Sequence, residues 1–256
     1  MRRKCVAGNW KMNLTLAEAR ALVEGIKAKL PADAPIDLAV FPPFTLLFPM
    51  AKALDGSPIR FGAQNCYFEP KGAFTGEISP QQVKDTGASA VLIGHSERRH
   101  VFGETGELLK KKVLAALATG LDVIYCVGEK LEEREGNRTN EVLAQQLREV
   151  LGPDIPEGTL YRITIAYEPV WAIGTGKTAT TEQAQEAHAF IRQEIGKLYN
   201  SSSAAAIRIQ YGGSVNAGNA QALMSQPDVD GVLVGGASLK VDDFVAIING
   251  AIAASR

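Results

Sequence analysis

The sequence predicts an α/β fold, a closed (β/α)8 barrel in which eight parallel strands are surrounded by helices. Two observations support this prediction. Short apolar strands alternate with longer helical segments along the whole chain, and such alternation is typical of a parallel sheet. The pattern repeats eight times within 256 residues, which fits a closed barrel of typically ~250 residues better than an open, doubly wound sheet. We therefore expect a single domain over residues 1–256.

The eight predicted strands are apolar segments rich in β-branched and aromatic residues. They are expected at 5–9, 36–41, 60–64, 90–93, 122–127, 161–167, 207–211 and 231–234. Helix starts are indicated by capping-box pairs, whose side chains satisfy backbone donors that the first helical turn leaves unpaired. These pairs are Thr15 with Glu18, Ser79 with Gln82, and Thr180 with Gln183. The segment 201–206, before the seventh strand, is expected to be a loop.

The composition excludes several classes of protein. A hydrophobic content of 46% and a net charge of −1 indicate an ordinary globular protein without the basic surface that nucleic-acid binding requires. No apolar run approaches the ~20 residues that cross a bilayer, and residues 1–4 lead directly into the first strand without a signal peptide's apolar region. Three cysteines without a Cys-x-x-Cys pair fit reduced thiols. We expect a cytoplasmic protein with no nucleic-acid or membrane partner.

The segment 166–177, AYEPVWAIGTGK, places a carboxylate at the end of strand six. Proline cannot continue a strand ladder, so Glu168, directly before Pro169, lies at the carboxyl-terminal edge. Taken alone, an acidic residue before a proline turn is more often a solvated charge. The GTGK part resembles the end of a phosphate-binding P-loop, but that pattern requires a glycine five residues before Gly176, where this chain has Trp171. A nucleotide site is therefore not expected.

Polar residues and glycines follow several other predicted strands. They are Asn9 and Lys11 after strand one, His95 after strand four, Ser214 after strand seven, and Gly235 and Gly236 after strand eight. Individually, His95 could be a hydrogen-bonded edge residue followed by solvated arginines, Lys11 a surface charge, and the glycines tight turns. A barrel brings the carboxyl ends of all its strands to one face, and loops seven and eight often hold phosphate there. Together these residues predict a site with a base, an imidazole, a fixed cation and backbone donors for phosphate.

Seven segments resemble the triosephosphate isomerase family, from one end of the chain to the other. They are AGNWKMN (7–13), QNCYFEPKGAFTGE (64–77), VLIGHSERR (91–99), YCVGE (125–129), AYEPVWAIGTGK (166–177), IQYGGSV (209–215) and GVLVGGASL (231–239). The resemblance implies a TIM barrel that interconverts dihydroxyacetone phosphate and D-glyceraldehyde 3-phosphate through an enediolate, in glycolysis and gluconeogenesis. It implies no cofactor and no metal.

The resemblance also implies a role for each site residue. Glu168 would be the base, His95 a neutral electrophile, and Lys11 a fixed positive charge with Asn9 as a neighbouring donor and Glu97 as the partner of the lysine. Phosphate would bind backbone N–H groups of Gly174, Ser214, Gly235 and Gly236. Residues 169–178 would form a closing lid, in which Ile173 covers the carboxylate and Gly176 brings a further donor. Ser96 would hold Glu168 when the site is empty, Cys126 would pack near Glu168, and Trp171 and Tyr211 would latch the lid, for example to Glu129.

The long loop 64–77 carries Tyr67, Phe68 and Phe74. A loop of this length in a compact domain is usually either disordered or docked against another surface. In the resembled family it inserts into a neighbouring subunit, where Thr75 would reach the Asn9 and His95 region of the partner. The resemblance therefore implies a homodimer.

Three alternatives can be distinguished by residue type. A Schiff-base aldolase would need a lysine at the end of strand six, where this chain has Glu168. A metal-dependent barrel would need carboxylates clustered with histidines at neighbouring strand ends, and Glu97, Glu129 and Glu168 are not clustered in that way. A binding protein for sugar phosphates would keep the glycines of strand eight but would not need both a base and an imidazole.

Overall fold

The computed structural model of the protein describes residues 2–31, 33–174 and 178–255. Eight parallel strands form a closed barrel in sequence order, and the last strand pairs with the first. The strands are β1 (Cys5–Asn9), β2 (Asp37–Phe41), β3 (Ile59–Ala63), β4 (Ala90–Ile93), β5 (Asp122–Val127), β6 (Ile163–Tyr167), β7 (Arg208–Tyr211) and β8 (Gly231–Val234). The predicted barrel is confirmed.

Helices follow the strands and cover the outside of the barrel. Within the described ranges they are α1 (Leu16–Lys29), α2 (Leu47–Ala53), α3 (Pro80–Asp85), α4 (Ser96–His100), α5 (Gly106–Ala118), α6 (Leu131–Glu135), α7 (Thr139–Val150), α8 (Thr181–Leu198), α9 (Ser201–Ala206), α10 (Ala220–Met224) and α11 (Val241–Ala253). The three predicted capping boxes are present at the starts of α1, α3 and α8. None of these described helices is long and apolar enough to cross a membrane.

Two predicted segments differ from the structure. Residues 201–206 form the short helix α9 rather than a loop, because Asn200 caps it by accepting from the Ser203 amide at 2.9 Å and its alanines favour a helix. Strand six was predicted to begin at 161, but a 3₁₀ turn occupies Glu157–Arg162. Tyr161, the first residue of the predicted strand, is 79% exposed. The other strand boundaries agree within one residue.

Side chains alternate along the strands between two apolar layers, as the strand pleat requires. One layer fills the inside of the barrel and consists of Ala7, Phe41, Ala90, Leu92, Ile124, Cys126, Ala166 and Leu233. The other layer lies between the strands and the helices, where Val91 and Ile93 of β4 and Val123 and Tyr125 of β5 pack. These layers fix the strand positions, and the carboxyl ends of the strands carry the residues of the site.

Candidate active site

A cavity of about 490 Å³ lies at the carboxyl ends of the strands. Its lining includes every predicted catalytic and substrate-binding residue, namely Asn9, Lys11, His95, Glu168, Ile173, Gly174, Ser214, Gly235 and Gly236. The barrel therefore brings together residues that are separated by more than 200 positions in the sequence. Part of the predicted lid, Thr175, Gly176 and Lys177, lies outside the described residues.

Glu168 is a buried carboxylate, with 2% of its surface exposed. Its backbone N–H donates to Val127 O at 2.7 Å, so the residue extends the pairing of β5 and β6 by one step. Its Oε2 accepts from the Ser96 backbone amide at 2.8 Å, and its Oε1 lies 3.0 Å from Nε2 of His95. Ser96 therefore contacts Glu168, as the resemblance implied, and the contact is made by the main chain.

His95 caps the amino terminus of α4 with its own ring. Its Nδ1 accepts a hydrogen bond from the Glu97 backbone amide at 3.2 Å. A ring nitrogen that accepts carries no proton, so the proton of a neutral imidazole must be on Nε2. The Nε2–H group then faces the cavity and Glu168. A neutral imidazole held in this way is a hydrogen-bond donor towards the cavity, and a charged imidazole would lose the bond from Glu97.

Lys11 adopts a left-handed backbone conformation, with φ of 51°. Such a conformation is unfavourable for a residue with a side chain and persists only where the surroundings hold it. The Asn9 Oδ1 accepts from the Lys11 amide at 3.0 Å, and the Gln64 amide group donates to Lys11 O at 2.8 Å and to Phe41 O at 2.8 Å. The Lys11 ammonium group pairs with Glu97 at 2.6 Å. No motif in the sequence indicates that the Gln64 side chain supports the lysine.

Cys126 is fully buried in the barrel interior. Burial, together with the nearby Glu168 carboxylate, raises the pKa of its thiol well above the ordinary value. The thiolate is the reactive form of cysteine, so this residue is a poor nucleophile. Its position in the interior layer fits the packing role that the sequence suggested.

The first residues of the predicted lid are anchored on Glu129. Trp171 Nε1 and the Tyr167 hydroxyl both donate to the Glu129 Oε1, at 2.9 and 3.0 Å, and Arg134 pairs with the same oxygen at 3.2 Å. The Arg134 guanidinium also lies 4.8 Å from the centre of the Trp171 ring. Trp171 therefore binds Glu129 as the resemblance implied, but the tyrosine that binds it is Tyr167 and not Tyr211. Tyr211 lies beside Tyr167, with ring centroids 6.4 Å apart.

Thr75 lies in the exposed part of the loop 64–77. Among the described residues, those that line the cavity do not include Thr75. The loop is ordered by its own contacts: the Tyr67 amide donates to Ile78 O at 2.8 Å, and the Tyr67 and Phe74 rings lie 4.7 Å apart. This loop therefore presents Thr75 at its surface.

Comparisons with known proteins show which family the chain is similar to. The family described as "Triosephosphate isomerase" matches residues 4–251 of the chain. A protein of Chlorobium phaeobacteroides named triosephosphate isomerase is 52% identical over 254 residues, which cover 98% of this chain and 100% of the relative. Proteins of the same name from Trichlorobacter lovleyi and Herpetosiphon aurantiacus are 51% and 52% identical, over 97% of this chain and 98% and 99% of the relatives.

Proposed function

The chain belongs to the triosephosphate isomerase family, and we propose that Glu168 is the base with which it interconverts dihydroxyacetone phosphate and D-glyceraldehyde 3-phosphate. The isomerisation follows from the family. The assignment of the base rests on one observation, the buried Glu168 carboxylate placed 3.0 Å from the ring of His95 at the cavity. The barrel, residues 1–256, is the proposed catalytic domain.

The chemistry needs a base because a proton α to a carbonyl group is only weakly acidic. Glu168 takes a proton from carbon one of dihydroxyacetone phosphate, and the C–H electron pair forms a double bond to carbon two. The carbonyl oxygen on carbon two then becomes the oxygen of an enediolate. Return of the proton from Glu168 to carbon two, with transfer of a hydroxyl proton between the two oxygens, gives the aldehyde.

His95 supplies the hydrogen bond that the developing oxyanion needs. Its Nε2–H now points at Glu168 Oε1, so a bound substrate oxygen would replace the carboxylate as the acceptor. Glu168 would also leave the Ser96 amide on moving towards carbon one. We therefore assign the contacts of Glu168 with His95 and Ser96 to the empty site. Lys11 adds a fixed positive charge beside the substrate, and Asn9 orients its backbone.

The phosphate group is assigned to the cavity wall that Gly174, Ser214, Gly235 and Gly236 form. Backbone N–H groups in such glycine-containing loops approach an anion closely. Residues 169–178 are proposed to close over it, with Ile173 covering Glu168. Closure would exclude water and strengthen each electrostatic interaction inside. The anchor of Trp171 on Glu129 supports a hinge at the start of this segment.

We also propose that the protein is a cytoplasmic homodimer. Large apolar side chains are exposed after four consecutive strands, β1 to β4, and therefore lie on one side of the barrel. They are Met12, Phe44, Phe48, Phe74, Val101 and Phe102, and Met12 is 95% exposed. An apolar surface of this kind marks a protein interface. The loop 64–77 belongs to the same side and would carry Thr75 to the partner's site. The three cysteines are free and buried, which fits a reducing compartment.

The interface is tested by replacing Phe74 and Thr75 together with aspartate. Charges buried without partners at an interface cost several kcal/mol, so the variant should sediment as a monomer. Tyr161→Asp is the matched control, because Tyr161 is 79% exposed near the opposite end of the barrel and should leave the dimer intact. A Phe74 and Thr75 variant that remains a fully active dimer would place the interface elsewhere.

A coupled isomerase assay with a metal chelator present tests the proposed chemistry. No step described above uses a metal, so the rate should be unaffected by the chelator, and inorganic phosphate should compete with the substrate. Loss of activity with the chelator, restored by a divalent cation, would favour the metal-dependent alternative.

A further inference from the structure

Arg99 is a partly buried cation behind the wall of the active site, with 9% of its side chain exposed. Its Nε donates to Gly94 O at 3.0 Å, and its Nη2 donates to Cys126 O at 3.1 Å and to the Tyr125 hydroxyl at 2.8 Å. Gly94 directly precedes His95, and Cys126 belongs to β5. The guanidinium group thus joins the carboxyl ends of β4 and β5, beside which Glu168 lies.

These contacts close a ring that contains both proposed catalytic groups. From Arg99 the ring runs through Gly94 to His95 and Ser96, whose amide binds the Glu168 carboxylate at 2.8 Å. It returns from the Glu168 amide through Val127 O at 2.7 Å and along β5 to Cys126, which Arg99 binds. Arg99 and Glu168 also line one small gap that is too narrow to hold a water molecule.

We propose that Arg99 is a positioning residue for the isomerisation, which sets the distance between His95 and Glu168 by holding the ends of β4 and β5 together. The inference rests on the proposed function, because it assigns no chemical step to Arg99. A shift of about 1 Å between catalytic groups can lower a rate ~10²-fold even when the mutated residue never touches the substrate.

The residue type fits this role. A guanidinium group is planar and carries five N–H donors in a fixed arrangement, so one side chain can bind carbonyl groups of two strands and a hydroxyl group together. A lysine has a single ammonium group on a flexible stem and would hold the two carbonyl groups less rigidly. The Tyr125 hydroxyl in turn donates to Gln146 O of α7 at 2.6 Å, which fixes the outer side of the network.

The backbone at Gly94 leaves little freedom for a different arrangement. Its φ is 77°, and a Cβ atom there would lie 3.2 Å from Cys126 O and 3.3 Å from Nη2 of Arg99. The chain therefore turns towards His95 in a left-handed conformation packed directly on the guanidinium group. By comparison, the ion pair of Arg99 with Glu149 is long, at 3.7 Å, and Glu149 is partly exposed. The carbonyl contacts, rather than this ion pair, carry the proposal.

The test compares Arg99→Met, Arg99→Lys and the control Glu149→Gln, which keeps both carbonyl contacts. For each folded variant, kcat, KM and the inhibition constant of inorganic phosphate are measured. We expect kcat to fall roughly 10- to 100-fold in Arg99→Met and less in Arg99→Lys, with KM and the phosphate constant within about twofold. Glu149→Gln should match the unmodified protein. If Arg99 had only a structural role, its variants would change in unfolding temperature but would not lose kcat while KM stays nearly constant.

The inference is overturned if Arg99→Met keeps full kcat, or if phosphate binding weakens by the same factor as kcat. Where Arg99→Met does not fold, the same comparison on Arg99→Lys decides. Glu168→Gln is measured in parallel. Full turnover in Glu168→Gln would overturn the assignment of the base, whereas loss of turnover there with full turnover in the Arg99 variants would overturn the positioning role alone.

Discussion

Replacing Glu168 with glutamine changes the proposed base by one atom and keeps its size. The carboxylate has two oxygens, and each faces its own donor: the Ser96 amide at 2.8 Å and the His95 Nε2 at 3.0 Å. A glutamine has only one oxygen, so its NH₂ group must face one of these two donors. The variant therefore lacks the base and also disturbs the contacts that Glu168 makes with Ser96 and His95.

Both effects have an expected size. Loss of a general base costs about 10²–10⁴ in turnover, and each factor of ten is ~1.36 kcal/mol, so the barrier should rise by about 2.7–5.4 kcal/mol. A buried donor left without an acceptor costs about 1–3 kcal/mol, so the free energy of unfolding should fall by a similar amount. Because the phosphate wall formed by Gly174, Ser214, Gly235 and Gly236 is unchanged, KM should change little.

The assay is a coupled measurement of isomerase activity, with urea unfolding of the same preparation. A double variant, Glu168→Gln with His95→Gln, gives the background from contaminating host isomerase, because it lacks both proposed groups. Turnover of the single variant within tenfold of the unmodified protein, above that background, would refute the assignment of Glu168. A large rise in KM with unchanged kcat would instead make Glu168 a binding residue.

Three further outcomes are expected. Nitrogen NMR of labelled His95 at neutral pH should show one protonated and one unprotonated ring nitrogen, whereas two protonated nitrogens would contradict the bond from Glu97 to Nδ1. Burial lowers the pKa of His188 to about 4, so the neutral ring stabilises the fold above pH ~6.5, and the free energy of unfolding should fall by ~3 kcal/mol as the pH falls from 6.5 to 4. Urea unfolding of His188→Gln should lack that part of the pH dependence. The same pH dependence in the variant and in the unmodified protein would refute this expectation. Shortening the lid by removing residues 173–177 should release methylglyoxal and inorganic phosphate, because water then reaches the enediolate; clean isomerisation by this variant would show that the segment does not protect the intermediate.

Much of the fold follows from local patterns in the sequence. Strand positions were predicted within about two residues because each strand is a short apolar segment bounded by turn residues. The convergence of Lys11, His95 and Glu168 then followed from the barrel, since all strands end at one face. The prediction for 201–206 was wrong because this segment was considered too short to be more than a loop, whereas the Asn200 cap starts a short helix there.

Several supports of the site could not be predicted, because they depend on backbone atoms that only the folded chain brings together. Gln64 binds the carbonyl groups of Lys11 and Phe41, which lie 53 and 23 residues away. The residue type does not indicate the left-handed backbone conformation of Lys11, since lysine rarely adopts that conformation. Hydrogen bonds to main-chain oxygens leave no pair of complementary side chains in the sequence, so no motif indicates them.

The adjacent arginines after His95 illustrate the same limit. Both could be solvated charges of a first helical turn, but the structure binds each of them. Arg98 donates to Glu104 at 2.7 Å, whereas Arg99 binds the carbonyl groups of Gly94 and Cys126. Successive helical residues point about 100° apart, so one arginine can reach a side-chain partner while the next enters the barrel wall. The partner that each arginine finds depends on which face of this five-residue helix meets β5. That contact exists only once β4 and β5 have paired.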